Sequence, residues 1–232
     1  MEIFTLTSAE WAALRLSLWI SGWAVIGSLV PGVLTAWLLA RKQFPGKSLV
    51  DGVVHLPLVL PPVVTGYMLL LLMGRRGMVG GPLYELTGFS FAFNWKGAAL
   101  ASAIMAFPLL VRAVRLSIES VDQGLEQAAR TLGANPADVF FTITLPLIFP
   151  GILTGIILAF ARSLSEFGAT ITFVSNIPGE TRTLPLALYT LTQVPDGEAG
   201  AMRLCIISVI VAFIALVASE VLARRMERRM KG

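Results

Sequence analysis

The chain of 232 residues is too apolar for a water-soluble protein. Hydrophobic residues make up 56% of it and charged residues only 14%, and its mean hydropathy is +0.78. A soluble domain carries about 25% charged residues, so the composition excludes a soluble fold and indicates that lipid covers much of the surface. The single cysteine excludes an internal disulfide framework, and the single histidine argues against a histidine-based metal site.

Five segments are long and apolar enough to cross a membrane, for which about 20 residues are needed. We predict spans at 16–40, 53–73, 97–115, 147–174 and 204–222. Acidic residues rather than basic ones precede the first span, and no cleavage-site pattern follows it, so we expect it to remain in the mature protein. The expected fold is an all-α integral membrane protein with one transmembrane domain, 1–232.

The positions of Lys and Arg predict the orientation, because cytoplasmic loops are enriched in them. With the C-terminus inside, the cytoplasmic segments hold 11 of these residues and the external segments hold 6. We therefore expect the N-terminus outside and the C-terminus in the cytoplasm. The net charge of +4 follows from this topology and does not predict nucleic-acid binding. We interpret 74–96 and 175–202 as external, with a short interfacial or membrane-dipping helix at 184–192.

The segment 119–146, between the third and fourth spans, carries helix signals although it is not a span. Asp122 is a candidate N-cap and Gly133 a candidate helix stop. Asn135 is placed to cap a second helix, which carries aromatic residues such as Phe140. Aromatic residues at this place either pack beneath the protein's own bundle or dock into a groove on a soluble partner. We call this segment the elbow.

The elbow resembles the EAA signature of permease subunits in ATP-binding-cassette importers, an EAA triplet followed by G and later by I-x-LP. The matching residues are Gln127, Ala128, Ala129, Gly133, Ile143, Leu145 and Pro146. One position departs from the signature, since Gln127 stands where the triplet has Glu and Glu126 lies one position earlier. In that family the elbow is the coupling helix that fits a cleft on the ATPase subunit. The resemblance implies this role for the matching residues together with Glu126 and Phe140.

Longer stretches resemble the molybdate branch of this family and cover most of the chain from Phe44 to Pro185. They are "FPGKSLVDGVVHLPLVLPPVVTGY", "LEQAARTLGA", "FFTITLPL" and "FARSLSEFGATITFVSNIPGETRTLP". Sulfate permeases share the elbow and the general pattern of these stretches, and the run at 175–183 favours molybdate. The resemblance implies a type I importer permease in the bacterial inner membrane that forms a homodimer. It also implies two ATPase subunits, which hold the ATP and Mg, and a soluble periplasmic or extracellular molybdate-binding protein; no cofactor is expected on this chain.

Residues inside two of the spans mark a candidate pathway. Pro61 and Pro62 remove backbone donors from the second span, and such a break either lines a pathway or only bends the helix. In the fourth span Arg162 and Glu166 are four residues apart, and they form either an internal salt bridge or a positive site for a passing oxyanion. The candidate pathway residues are Pro61, Pro62, Thr65, Arg162, Ser163 and Glu166.

Small residues at Gly151, Gly155 and Ala159 recur every four positions in the fourth span. Such a row lets a neighbouring helix approach closely. The stripe therefore predicts a helix contact before it predicts any site.

No cluster of nucleophile, acid–base pair or metal ligands is apparent in the sequence, so we predict no catalytic and no metal-binding residue. A secondary transporter normally has internal repeats and several carboxylates inside its spans, whereas Glu166 is the only one here that lies clearly within a span. We expect an importer permease for molybdate, with tungstate or sulfate as the alternative substrates. A secondary transporter without an ATPase is the alternative class.

Overall fold

The computed structural model describes residues 6–231, and it describes side chains for 6–218 and Val221. Its regular elements are all helical. They are α1 (Ser8–Arg41), α2 (Lys47–Val59), α3 (Pro62–Met73), α4 (Gly80–Thr87), α5 (Trp95–Glu119), α6 (Gln123–Thr131), α7 (Pro136–Val139), a π-helical turn (Phe140–Thr144), α8 (Leu145–Leu164), α9 (Gly168–Val174), α10 (Leu184–Thr192) and α11 (Glu198–Lys231).

Four helical segments in the described range are long and apolar enough to span a membrane. They comprise α1, α5, the run from α7 through α8 (Pro136–Leu164), and the first part of α11 (Glu198–Ala218). Helices α2 and α3 together supply a fifth span if the bent pair is counted as one. The predicted all-α membrane fold with about five spans is therefore confirmed.

The main core lies between α1, α5 and α8. Leu39 of α1, Leu110 of α5 and Ile148 of α8 are all fully buried within one apolar cluster. Apolar burial between helices is not driven by water inside a bilayer, so these helices hold together through close packing and small contact residues. The core thus depends on how closely the backbones approach one another.

Small residues of α8 provide that close approach, as the four-residue stripe predicts. Gly151 lies directly against the Ser117 side chain of α5, and a Cβ placed on it would overlap that side chain. A Cβ on Gly155 would lie 2.8 Å from Leu110 Cδ1 and 3.2 Å from the Leu110 carbonyl oxygen. Ala159 is fully buried in the same cluster. We call this contact between α5 and α8 the seam; the predicted helix contact is confirmed.

Two of the predicted spans are broken. Helices α2 and α3 are bent by 116° at their junction, where Pro61 and Pro62 withhold backbone donors, so the predicted break is confirmed. The prediction of one helix through 147–174 is wrong. Helix α8 ends at Leu164 and α9 begins at Gly168. The Glu166 carboxylate Oε1 accepts from the Ala169 backbone N–H at 2.9 Å and so caps α9.

The segments 74–96 and 175–202, which the sequence predicts to be external, contain two short helices. Helix α10 has the bounds predicted for the short helix at 184–192. The segment 74–96, interpreted as a loop, instead holds α4 at Gly80–Thr87. The glycine-rich sequence of this segment gives no helix signal. Gly88 ends the helix with a φ of +69°, a conformation that glycine adopts without steric cost.

Candidate coupling and pathway sites

The elbow (119–146) consists of two capped helices joined by a glycine. The Asp122 side chain accepts from the Gly124 N–H at 2.8 Å and caps α6. The Asn135 Oδ1 accepts from the Asp138 N–H at 2.9 Å and caps α7. Between them Gly133 has a φ of +92°, which favours glycine over any residue with a Cβ. These caps and this turn lie where the sequence predicts them.

The elbow presents apolar side chains to its surroundings instead of burying them. Leu125 of α6 is 50% exposed, Leu132 at the end of α6 is 88% exposed, and Phe141 of the π-turn is 63% exposed. We call these three residues the outer face. Because α6 lies outside the candidate spans, water would contact Leu125 and Leu132 unless another protein covered them, whereas Phe141 lies within the apolar run Pro136–Leu164.

The charged side chain of Glu126 points the opposite way, toward the membrane helices. Its Oε1 accepts from Arg41 Nη2 at 2.8 Å and from Thr144 Oγ1 at 2.8 Å. Arg41 is the last residue of α1, and Thr144 immediately precedes α8. Gln127, at the position of the triplet's Glu, is exposed. The carboxylate that holds the elbow to the spans therefore belongs to the position before the triplet.

The other elbow residues divide between the two sides. Ala128, Gly133 and Pro146 are exposed, whereas Ala129, Phe140, Ile143 and Leu145 are half-buried. The Phe140 and Phe141 rings meet edge to face, with centroids 5.2 Å apart. Phe140 is half-buried and Phe141 is exposed, and docking of these aromatic residues on a soluble partner stays a prediction. Leu145 packs against the main core, so the elbow continues directly into α8.

The two broken spans meet close to their breaks. A Cβ on Gly66 of α3 would lie 2.5 Å from the Ala169 carbonyl oxygen of α9, and one on Gly168 would lie 2.8 Å from Pro62 Cβ. The backbones of α3 and α9 are therefore in direct contact, which glycine permits at both positions. This places Pro62 next to the start of α9, a neighbourhood that the sequence alone does not reveal because 106 positions separate Pro62 from Gly168.

Arg162 and Glu166 form an ion pair. Arg162 Nη1 lies 2.6 Å from Glu166 Oε2, although the angles are not those of a hydrogen bond, since Oε2 has no hydrogen-bond partner among the described residues. Glu166 is only 2% exposed, while the Arg162 side chain is 25% exposed. The pair has the geometry of the internal salt bridge, one of the two alternatives proposed for it from the sequence.

Two hydroxyl groups among the candidate pathway residues are buried without a partner. Thr65 is 6% exposed and Ser163 is 4% exposed, and within the described part of the chain neither side-chain oxygen has a hydrogen-bond partner. Most buried polar groups are paired, but Ser and Thr are also common where membrane helices pack, and Ser21 and Ser102 are unpaired in the same way. Pro61 is exposed and Pro62 half-buried at the edge of this region.

The helical spans and the elbow are arranged as in solved structures of ABC transporters, which share this fold at low sequence identity. One is the structure of a bacterial ABC transporter that imports the acidic polysaccharide alginate. The match covers 98% of this chain and 82% of the transporter chain, with a TM-score of 0.72 and 19% sequence identity. An inward-facing methionine ABC transporter matches 94% of both chains with a TM-score of 0.66 at 15% identity.

Residues 32–232 match the family of binding-protein-dependent transport system inner membrane components, and the chain belongs to that family. A molybdenum transport system permease protein of Escherichia coli strain K12 is 65% identical over 219 residues, which cover 94% of this chain and 96% of the relative. The corresponding protein of Haemophilus influenzae is 58% identical over 221 residues, covering 95% and 96%. The resemblance to ATP-binding-cassette permeases is thus confirmed: the chain is a multi-pass inner-membrane protein with a transport role.

Proposed function

We propose that this chain is the permease subunit of an ATP-driven molybdate importer and that two copies form the pathway. The assignment of molybdate as the substrate rests on relatives that are named for molybdenum transport and are 58% to 65% identical over almost the whole chain. The homodimer rests on the small number of spans, about five, which are few to enclose a route alone. A soluble molybdate-binding protein would deliver the anion to the external side.

The outer face of the elbow is the observation that carries the ATPase partnership. Leu132 and Phe141 expose most of their apolar surface, and a helix that lays apolar residues into a groove is a recurrent recognition mode. We propose that an ATPase subunit docks on each elbow and that ATP and Mg bind there. This chain is then a transport subunit that hydrolyses no ATP and holds no cofactor.

In this scheme ATP moves the elbows, and the elbows move the spans. ATP binding closes the two ATPase subunits and draws the elbows together, which favours the conformation open to the outside. The direct continuation of the elbow through Leu145 into the main core carries this movement to α8. Hydrolysis releases the elbows and returns the pathway to the inward-open state.

The orientation is part of the same proposal, with the N-terminus outside and the elbow and C-terminus in the cytoplasm. The basic residues Arg41, Lys42 and Lys47 near the α1–α2 connection lie on the same side as the elbow, since Arg41 contacts Glu126. A reporter fused after Gly232 should be active only if it works in the cytoplasm. A fusion active only outside would reverse the assignment.

Sulfate is the second candidate substrate, and tungstate shares the charge and shape of molybdate. A sulfate transport system permease protein of Synechococcus elongatus is 42% identical over 174 residues, which cover 75% of this chain and 60% of the relative. The anion in transit needs a wet, weakly binding route in either case, because a tight site would prevent release. A competition experiment is therefore needed to tell which of these anions the chain transports.

The test is uptake of labelled molybdate by vesicles that hold this chain with its ATPase and binding protein. We expect uptake that requires ATP and resists excess sulfate. Uptake displaced by sulfate would assign the chain to sulfate, and displacement by tungstate alone would leave both metal oxyanions as substrates. Uptake that needs no ATP would support a secondary transporter and overturn the proposal.

We also propose that Arg162 offers a positive charge to the anion as it passes the broken spans. The partly exposed Arg162 side chain, beside a buried carboxylate, supports this role. Arg162→Ala should slow uptake without lowering the amount of assembled complex. Because this variant leaves the Glu166 charge buried without its partner, Arg162→Ala with Glu166→Gln is the matched control. Full uptake in both variants would show that the pair is only a structural salt bridge.

A further inference from the structure

Helix α6 is attached to the membrane helices by few contacts. None of its residues is buried, and in the described range it packs mainly against α7 and the π-turn, which begin the run Pro136–Leu164, rather than against α1 or α5. A segment that receives force from a partner needs a firm attachment if it is to move the spans. The attachment must therefore come from a small number of specific interactions.

Glu126 supplies that attachment through one carboxylate oxygen. Its Oε1 accepts from Arg41 at the end of α1 and from Thr144 at the start of α8, both at 2.8 Å. The side chains of Arg41 and Glu126 are each 14% exposed, and Thr144 is 3% exposed. Hydrogen bonds between charged groups are stronger than neutral ones, and partial burial reduces their screening by water and salt.

The Arg41–Glu126 pair borders a gap between α1 and the elbow. A cleft of about 570 Å³ lies beside it, and Trp37, Arg41, Glu126, Phe140 and Thr144 are among the residues that line it. Apolar packing between α1 and α6 is therefore incomplete here, and the cleft leaves room for α6 to shift. A displacement of α6 acts on α1 and α8 through the Glu126 carboxylate more than through a packed interface.

We propose that Glu126 is the positioning residue that transmits movement of α6 to the first and fourth spans. This inference rests on the proposed ATP-driven import. It gives Glu126 an internal role, distinct from docking by the outer face, and it explains why a carboxylate is found one position before the triplet. Without the bridge, the ATPase still docks and hydrolyses ATP, but movement of α6 no longer reaches α1 through Arg41 and reaches α8 only along the chain through Leu145.

The test compares uptake with ATP hydrolysis in the assembled complex. In vesicles holding Glu126→Gln with the ATPase and binding protein, we expect normal assembly and ATP hydrolysis within about twofold of wild type. Molybdate taken up per ATP should fall about tenfold, which corresponds to about 1.4 kcal/mol, close to the net contribution of one hydrogen bond to a charged group. Thr144→Val keeps the side-chain shape and removes one neutral donor, and it should lower the ratio about threefold.

Two further variants separate transmission from simple support. The exchange Arg41→Glu with Glu126→Arg restores opposite charges across the gap and should bring uptake per ATP back to within about threefold of wild type. Asp51→Asn removes another ion pair between helices, Asp51 with Arg115 at 3.1 Å, which does not involve the elbow. It should leave uptake per ATP within about twofold of wild type.

Each outcome bears on one proposal. An unchanged ratio in Glu126→Gln overturns the transmission role, and so does a loss of assembly that the charge exchange fails to repair, because Glu126 is then only a structural support. An equal fall of the ratio in Asp51→Asn also overturns it. The wild-type complex by itself tests the proposed function. If it fails to import molybdate with ATP, the proposed function is contradicted, whatever the variants show.

Discussion

Apolar residues are buried in the seam between α5 and α8 but exposed on the elbow helix α6. In the seam, Gly155 brings the two backbones together and Leu110 is fully buried against it. In the elbow, Leu125 and Leu132 are exposed and the charged Glu126 points inward. One region buries its apolar residues within a single chain, whereas the other leaves apolar side chains uncovered, and there we propose that the ATPase docks.

This difference separates a rigid frame from a movable part. Closely packed helices with backbone contact have few alternative arrangements, because interiors transmit strain rather than absorb it. A helix held by one carboxylate beside a cleft of about 570 Å³ can shift at small cost. A permease driven by a soluble partner needs both properties, and the following predictions test whether they lie where the structure indicates.

The largest effect is expected from overpacking the seam. In Gly151→Leu the new Cβ would overlap the Ser117 side chain and approach the Ala113 carbonyl oxygen at 3.3 Å, so α5 and α8 must separate. We expect a loss of about 3 kcal/mol in stability, measured by thermal unfolding of the detergent-solubilised protein.

Gly27→Leu is the matched control for the seam variant. Gly27 also lies inside a membrane helix, but nothing lies within 4 Å of an added Cβ there. Its stability should be unchanged or slightly higher, because leucine favours the helix more than glycine does. Equal losses in both variants would contradict a special role for the seam.

The next largest effect is expected at the outer face of the elbow. Leu132→Ser removes an 88% exposed apolar side chain that the ATPase is proposed to cover. Burying a leucine contributes about 2 kcal/mol, so the affinity of the permease for its ATPase should fall about tenfold or more. The measurement is binding of purified ATPase to the detergent-solubilised permease, with thermal stability followed in parallel.

Leu86→Ser is the control for docking. Leu86 is 85% exposed on α4, in the segment assigned to the opposite side of the membrane, so ATPase affinity should stay at the wild-type value. An affinity that is also unchanged in Leu132→Ser would remove the outer face from the interface. The comparison is fair because both residues expose similar apolar surface in the free subunit.

A smaller effect is expected from the turn inside the elbow. Gly133→Ala forces a residue with a Cβ into a φ of +92°, which costs about 1 kcal/mol, and the strain should misplace α7 relative to α6. Uptake should fall about fivefold, the factor that corresponds to this energy. In Gly52→Ala the site is helical and open, so uptake should not fall. Equal uptake in the two variants would show that the turn geometry is dispensable.

Local signals in the sequence were sufficient for much of the fold. Asp122, Gly133 and Asn135 act on their nearest neighbours, and the caps and turn they form were predictable for that reason. The spacing of Gly151 and Gly155 predicted a close helix contact, although only the structure identifies α5 as the partner. The positions of the apolar segments were enough to indicate about five spans.

Features that depend on distant residues were not predictable. Glu126 meets Arg41 across 85 positions, and no local pattern indicates that contact. The break before α9 was missed because Ser165 and Glu166 are not helix breakers; the helix ends where Glu166 caps α9. Its carboxylate also pairs with Arg162, so the sequence spacing revealed the pair but not the change of direction.

The smallest effect is expected at the ion pair between α2 and α5, outside the elbow. Asp51 contacts Arg115 at 3.1 Å and His55 at 3.2 Å, and its side chain is 37% exposed. Asp51→Asn should lower stability by about 0.5 kcal/mol, because water screens the pair and Arg115 keeps Glu119 at 2.8 Å. The measurement is thermal unfolding at low ionic strength and again at about 0.5 M salt, where the difference from wild type should disappear.

The same salt series sharpens the comparison with Glu126. The side chains of the Arg41–Glu126 pair are each 14% exposed, so added salt should screen them less than it screens Asp51. The defect of Glu126→Gln in uptake per ATP should therefore persist at about 0.5 M salt, while the stability defect of Asp51→Asn does not. If both defects vanished together, Glu126 would be one more surface charge, and the elbow would be attached to the spans through the chain alone.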